Sequence, residues 1–335
     1  MNRSLPNEDL REDAVNPPVS VLSKPDLRQY LTEQYQGVFD EKAIEFHLAN
    51  HVGFGFADGV VNLLHGQVPA GGSVLDIGSG FGAFVIVARR RGYKAVGLEI
   101  SRYEVEYARE RLVEEIPECK PDEIFIQADA VRLPFADNTF DAVTMWNVLE
   151  HVPDAYCALS EARRVIKQGG IIYMMCPNYA AFRREAHYQL FWLPLLPRRL
   201  ASFYLRASGK RAEYFEKHIF YRTKRGIIRI LKRLDMDIRD LNGNPSRPSK
   251  TVINPEIYDK FDHPHLILDP GKRHLIELLH KFHLTNVLAS AFGVCSRLGQ
   301  CPGWSKYFYK LALLYNPLAA SITLSARKAV GKCPC

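Results

Sequence analysis

The stretch Val74-Leu-Asp-Ile-Gly78-Ser-Gly80-Phe-Gly82 constrains this chain more than any other part of it. A short, mostly apolar run enters three glycines at alternate positions, and an amphipathic stretch leaves them from Gly82 to Arg91. A strand that feeds a helix through a glycine bend belongs to a βαβ unit and therefore to a parallel sheet. Glycine lets the backbone approach a ligand closely, and the helix N-terminus behind it offers free N–H groups to an anion.

The following hundred residues repeat the pattern. Apolar runs predict strands at 73–77, 95–99, 123–127, 140–146 and 170–176, and amphipathic runs predict helices at 82–91, 103–115 and 156–165. Gly169-Gly170 is expected to make the turn into the fifth strand. Ahead of this block, residues 1–26 read as a loose, proline-containing arm, and 27–64 read as helical text that Gly53-Phe-Gly55 interrupts. After Pro177-Asn178 the texture changes, and 179–222 is aromatic, basic and broken by prolines. A helix at 224–234 and a strand at 236–241 resume the alternation. Residues 242–315 read as an irregular, then helical insertion, and 321–327 as a last strand. The expected organisation is an arm (1–26), a core (27–241 with 321–328, carrying a lid-like insertion at 179–222) and a second insertion at 242–315.

The glycine bend alone is ambiguous. Gly78-Ser-Gly80-Phe-Gly82-Ala83 satisfies the GxGxxA fingerprint of dinucleotide folds. Glu99, at the end of the second strand, suits the ribose hydroxyls of either NAD or adenosylmethionine. Three features separate the readings. Asp76 precedes the first glycine, where a nicotinamide fold has no general need of a carboxylate. Asp129, in Gln127-Ala-Asp-Ala130, ends the third strand, where it can accept from an adenine amino group. The fourth strand then runs into Trp146-Asn-Val-Leu-Glu-His-Val-Pro-Asp154.

At these residues the chain resembles the class I S-adenosylmethionine-dependent methyltransferases, in particular those acting on small molecules. VLDIGSGFG (74–82) is similar to their first motif and AVGLEIS (95–101) to their second. ADAVRLPFADNTFDAVTMWNVLEHVPD (128–154) is similar to the third and fourth, and ARRVIKQGGIIYMMCPN (162–178) to the fifth. The likeness is close over about 70–180 and weaker at 217–241 and 321–328. It implies an α/β, doubly wound, mostly parallel seven-stranded sheet with an antiparallel last strand, and S-adenosyl-L-methionine as cofactor. Carried over, Gly78, Gly80 and Gly82 line the methionine portion, Glu99 takes the ribose hydroxyls, Asp129 the adenine amino group, and Asn147 lies beside the sulfonium. Asp76, Ser79, Ile100 and Ala130 complete the expected cofactor set.

Two histidines are the candidate catalytic residues. His151 follows Glu150, and His187 stands in Arg183-Arg-Glu-Ala-His-Tyr188, where many relatives have Glu-Pro-His and Ala186 replaces the proline. Histidine titrates near neutrality and can take a proton from a substrate hydroxyl. Methyl transfer from a sulfonium needs little covalent help, since in-line placement alone is worth ~7–11 kcal/mol.

Charge bears on the partner. Residues 1–180 hold 17 Lys+Arg against 26 Asp+Glu, whereas 181–335 hold 27 against 11, so balances of −9 and +16 sum to +7. A basic half suggests an anionic contact or merely a solvated basic face. The 189–205 stretch, with Arg198 and Arg199 among large apolar side chains, reads as a pocket lid or as a segment lying on an anionic membrane surface. Its longest apolar run, 190–196, is too short to span a bilayer. Either role suits a small-molecule, lipid-like or sugar-bearing acceptor. Nucleic acid is disfavoured, because Asn147-Val-Leu-Glu replaces the Asn/Asp-Pro-Pro-aromatic loop of base-amino methyltransferases. The polar start lacks a secretory apolar region, so a cytoplasmic protein is expected, with peripheral contact at the inner membrane face as a variant. Seven scattered cysteines without CxxC spacing give no metal site. Two other readings are an NAD(P)-dependent oxidoreductase and a cofactor-binding scaffold without turnover.

Overall fold

The computed structural model describes residues 26–179, 185, 187, 188, 190, 193, 196–241 and 321–329. The expected arm and the 242–315 insertion lie outside the described residues. Seven strands form one sheet: β1 (Ser73–Ile77), β2 (Lys94–Glu99), β3 (Phe125–Gln127), β4 (Phe140–Trp146), β5 (Ile166–Pro177), β6 (Met236–Asp240) and β7 (Ser321–Lys328). Their order is β3-β2-β1-β4-β5-β7-β6. Pairings from β3 to β5 are parallel, and β7 runs antiparallel to both β5 and β6. This is the doubly wound sheet with a reversed last strand that the motifs implied.

Both faces of the sheet are covered, which explains why its strands read as nearly continuous apolar runs. Successive side chains alternate between faces. Leu75, Ile77, Val143, Met145, Ile172 and Met174 enter one core. That core is closed by α7 (Ala155–Val165) and α10 (Lys224–Arg233). Val74, Ala95, Ala142, Ile171 and Tyr173 enter the other, beneath α3 (Gly55–Val61), α4 (Ala83–Arg90) and α5 (Arg102–Glu115). At the amino ends of the strands, Asp141 accepts from the Ser73 N–H and hydroxyl, both at 2.8 Å, and from Lys167 at 2.9 Å.

Two boundaries differ from expectation by more than one residue. Pro121 opens a short helix, α6 (Pro121–Ile124), so β3 begins two residues later than its apolar pattern suggested. Strand β5 begins at Ile166, which pairs with Phe140. Gly169 (φ 73°) lies inside the strand's irregular start, where register shifts between Phe140 and Ala142, rather than in a turn before it. At the interrupted helical text, α2 (Glu41–His47) runs into a π-helical turn at Leu48–Val52 that ends at Gly53, and α3 starts at Gly55.

α1 (Asp26–Gln34) and α2 pack over the glycine bend, with Leu27, Leu31 and Ile44 against Phe81 and Tyr103. Beyond β5, α8 (Arg198–Ala207) and α9 (Glu213–His218) share a cluster with Val38, Tyr179 and Tyr188. Arg198, at the start of α8, is exposed. Its guanidinium donates to the carbonyls of Phe215 (2.7 Å), Glu216 (2.7 Å) and Ile219 (3.0 Å) and lies over the Phe215 ring. Arg199, Leu200 and Phe203 are exposed. Among the described residues, no helix is long and apolar enough to cross a membrane.

Candidate active site

The carboxyl ends of β1, β2 and β4 meet at the bend that follows β1, the place where open α/β sheets bind ligands. The N–H groups of Gly78 and Ser79 donate to the Leu98 carbonyl at 2.7 and 3.0 Å, which folds the bend over β2. Gly78, Gly80 and Gly82 all have left-handed φ (71°, 49° and 80°). The bend also leaves no room for side chains. A Cβ on Gly78 would lie 2.3 Å from Val148 Cγ2, and one on Gly82 would lie 2.7 Å from Phe125 Cζ.

Three carboxyl groups gather here. Glu99 accepts from the N–H of Gly80 (3.1 Å), Ile100 (2.7 Å) and Ser101 (3.1 Å), so it braces the bend and keeps lone pairs for a ligand. Asp76 is buried and accepts from the Thr144 hydroxyl at 2.6 Å; burial pushes its carboxyl up to about 8, and Glu99 adds to the shift. Glu104, on α5, lies so close to the bend that a Cβ on Gly80 would sit 3.4 Å from its Oε2. Burial, then Glu99, raises Glu104 well above the ordinary carboxylate range, and burial raises Glu99 as well. The groups acting on these carboxyls are hydroxyls, backbone N–H groups and one another. Such a crowd is stabilised by a cationic ligand.

Of the other expected cofactor residues, Ser79 is buried and its hydroxyl has no partner among the described residues. Ile100 is 55% exposed at the rim, where an apolar ring would cover it, and Ala130 is buried beside Asp129. Asp129 accepts from the Val131 N–H at 3.1 Å. Asn147 takes a left-handed φ of 55°, and its N–H donates to the Met175 carbonyl at 2.8 Å, which fixes the loop after β4. The glycine cradle, the unpartnered Ser79 hydroxyl and the carboxyl crowd fit a sulfonium nucleoside better than a dianionic dinucleotide.

A second, aromatic half continues from the bend. Phe81 lies 6.3 Å from His47, His47 lies 5.6 Å from Tyr35, and Tyr35 lies 5.6 Å from Tyr214, all ring to ring. Tyr214 lies 5.8 Å from His187, whose ring is 5.1 Å from that of His151. Both candidate histidines are thus brought together, but in different states. His151 Nδ1 bonds the His218 carbonyl at 2.8 Å; burial, reinforced by His187, pushes the imidazole down to about 3. His187 Nδ1 bonds Glu185 Oε1 at 2.8 Å. Burial alone would lower His187, but the adjacent Glu185 carboxylate outweighs it and holds the imidazole above its ordinary value. Glu150 is buried, its Oε2 has no hydrogen-bond partner among the described residues, and burial raises it to about 7.

Sequence reasoning missed Thr144, Glu104, Tyr35, His47, His51 and Tyr214. Two signals were present: Thr144 is a polar residue in a buried apolar strand, and His47 and His51 stand four apart in helical text. Nothing local marks Tyr35 or Tyr214, which tertiary packing alone brings together.

With this geometry in hand, comparison with known proteins is specific. Residues 75–174 match the family model described as a methyltransferase domain. An uncharacterized methyltransferase of Mycobacterium leprae is 36% identical over 110 residues, covering 33% of this chain and 39% of that protein. The ubiquinone/menaquinone biosynthesis C-methyltransferase UbiE of Desulfotalea psychrophila is 31% identical over 167 residues, 47% of this chain and 65% of that protein. The 27-O-demethylrifamycin SV methyltransferase of Amycolatopsis mediterranei is 32% identical over 130 residues, 37% and 47% of the two chains. The chain thus spans from 39% to 65% of the length of these relatives. Sheet order and site define a class I methyltransferase fold. Over residues 75–174 the chain is similar to the methyltransferase domain family, a likeness that implies S-adenosyl-L-methionine as cofactor.

Proposed function

We propose that the protein transfers a methyl group from S-adenosylmethionine to a small-molecule, lipid-like or sugar-bearing acceptor. The observation that carries this reading is the crowd of Asp76, Glu99 and Glu104 around a glycine bend, a setting for a cationic nucleoside. Bound there, the cofactor supplies an electrophilic methyl on a sulfonium. Gly78, Gly80 and Gly82 admit its methionine portion, Glu99 and Asp129 accept from ribose and adenine, and the Asn147 loop faces the reacting end. The aromatic half from Tyr35 to His187 then seats the acceptor, excludes water and aligns the attacking atom, which is the main catalytic requirement.

The oxidoreductase reading is disfavoured by topology. The common dinucleotide order places a sixth parallel strand after the fifth, whereas here the reversed β7 intervenes between β5 and β6. Calorimetry tests the proposal. Adenosylmethionine and its demethylated product are expected to bind and NAD(P)H is not. Glu99→Ala is expected to weaken the cofactor by ~1.5–3 kcal/mol, the range for hydrogen bonds to a charged group. Binding of NAD(P)H in preference to adenosylmethionine would reverse the assignment.

A further inference from the structure

Resting on that reading of the cofactor site, we infer that the acceptor is a hydroxyl carried on a flat ring, such as a phenol, and that His187 is the catalytic base that takes its proton. The inference begins with how His187 is held. Glu185, fully buried, accepts from the backbone N–H groups of His187 (2.8 Å) and Tyr188 (2.7 Å) and from the Tyr179 hydroxyl (3.1 Å), so its carboxylate is immobile. Its Oε1 takes the His187 Nδ1 proton at 2.8 Å. With Nδ1–H so assigned by its partner, Nε2 carries the free lone pair. A carboxylate–imidazole pair of this kind stabilises the imidazolium that forms when a proton is taken.

The surroundings indicate what presents the proton. Around His187 stand His151 edge-on at 5.1 Å, Tyr214 at 5.8 Å and Phe39, whose plane lies within 12° of the imidazole at 6.4 Å. His47, His51 and His151 are all kept neutral by burial, so apart from the Glu185 and Glu150 carboxyls these walls are aromatic and uncharged. Such walls favour a flat ring, through stacked and edge-to-face contacts, over a flexible or charged acceptor. His151 holds a proton too weakly to serve as the base and instead positions the acceptor. A ring hydroxyl, an acid of ordinary pKa ~10, gives its proton to an imidazole strengthened by Glu185 more readily than an aliphatic alcohol, which releases it only in concert with attack. In the step, the hydroxyl proton passes to Nε2 of His187 and the oxygen bonds the methyl carbon. The carbon–sulfur bond breaks with its electron pair left on sulfur, giving the methyl ether and the neutral thioether.

The test uses the full chain with methyl-labelled cofactor and a panel of phenols, catechols and hydroxyquinones beside matched anilines and cyclohexanols. Label is expected on ring oxygen only. His187→Gln is expected to lower kcat by ~10²–10⁴-fold, the usual worth of a general base, with cofactor affinity unchanged. Glu185 and Glu150 both raise His187, so kcat/KM is expected to rise with pH through a limb above the ordinary histidine value. Glu185→Gln should move that limb to lower pH, which loss of structure alone would not do. Label on nitrogen, carbon or cyclohexanol, no label on any ring hydroxyl while cofactor binds, or an unaltered rate in His187→Gln would each overturn the inference. Failure of cofactor binding in the wild type would instead remove the reading it rests on.

Discussion

Asp76 shows how much a single residue contributes and how little of that is visible in isolation. Its place before the first glycine marked it as a ligand-site carboxylate, but its partner Thr144 lies 68 positions away, and only the parallel pairing of β1 with β4 joins them. The carboxyl's folded value, about 8, lies above its unfolded one, so its contribution to stability is present at low pH and is lost as pH rises through 8. Asp76→Asn, which does not titrate and can still accept from Thr144, is therefore expected to raise the melting temperature of the ligand-free protein at pH 8–9 while weakening adenosylmethionine. A melting temperature lowered at that pH would contradict the assignment. Glu99 was equally legible as a carboxylate at the second strand's end. Its bracing of the Gly80 N–H was not, since that contact depends on the fold of the bend.

At the scale of elements, the strand–bend–helix unit was the most legible, because glycine spacing and apolar period point the same way. The tightest constraint is at Gly82, whose left-handed φ of 80° coincides with a contact to Phe125 and Ala108. Gly82→Ala is expected to cost about 2–4 kcal/mol, from overpacking and left-handed strain together. Denaturant unfolding checks it, and a loss under 1 kcal/mol would mean that α4 and α5 shift freely. The boundaries were less legible. Pro121 could open a helix or edge a strand, and the local sequence does not choose. The start of β5 was hidden by Gly169-Gly170, which reads as a turn but serves as an irregularity within a ladder.

Over the whole molecule, the sheet and the carboxyl cluster at the glycine bend were legible, and the aromatic cluster beyond it was mostly not. His47 and Tyr35 come from the segment before β1, His151 from the loop after β4, and His187 and Tyr214 from the stretch after β5; no motif spans that separation. The same distance hides the partners of Arg198. Its place in an apolar, basic stretch reads as part of a pocket lid or a membrane-surface segment, and the side chain also ties α8 to the end of α9. Arg198→Ala is expected to lower stability by ~1–3 kcal/mol through three unmet carbonyls, whereas Arg199→Ala should leave it unchanged. Equal effects in thermal melts would contradict that distinction.

The central claim is that Asp76, Glu99 and Glu104 form a pocket for a sulfonium nucleoside. Because these carboxyls hold protons unusually tightly, an arriving cation should drive some of them off. Calorimetric titration of adenosylmethionine at pH 7, repeated in buffers of different ionisation enthalpy, is predicted to show saturable binding with net proton release. No binding in any buffer would contradict the account.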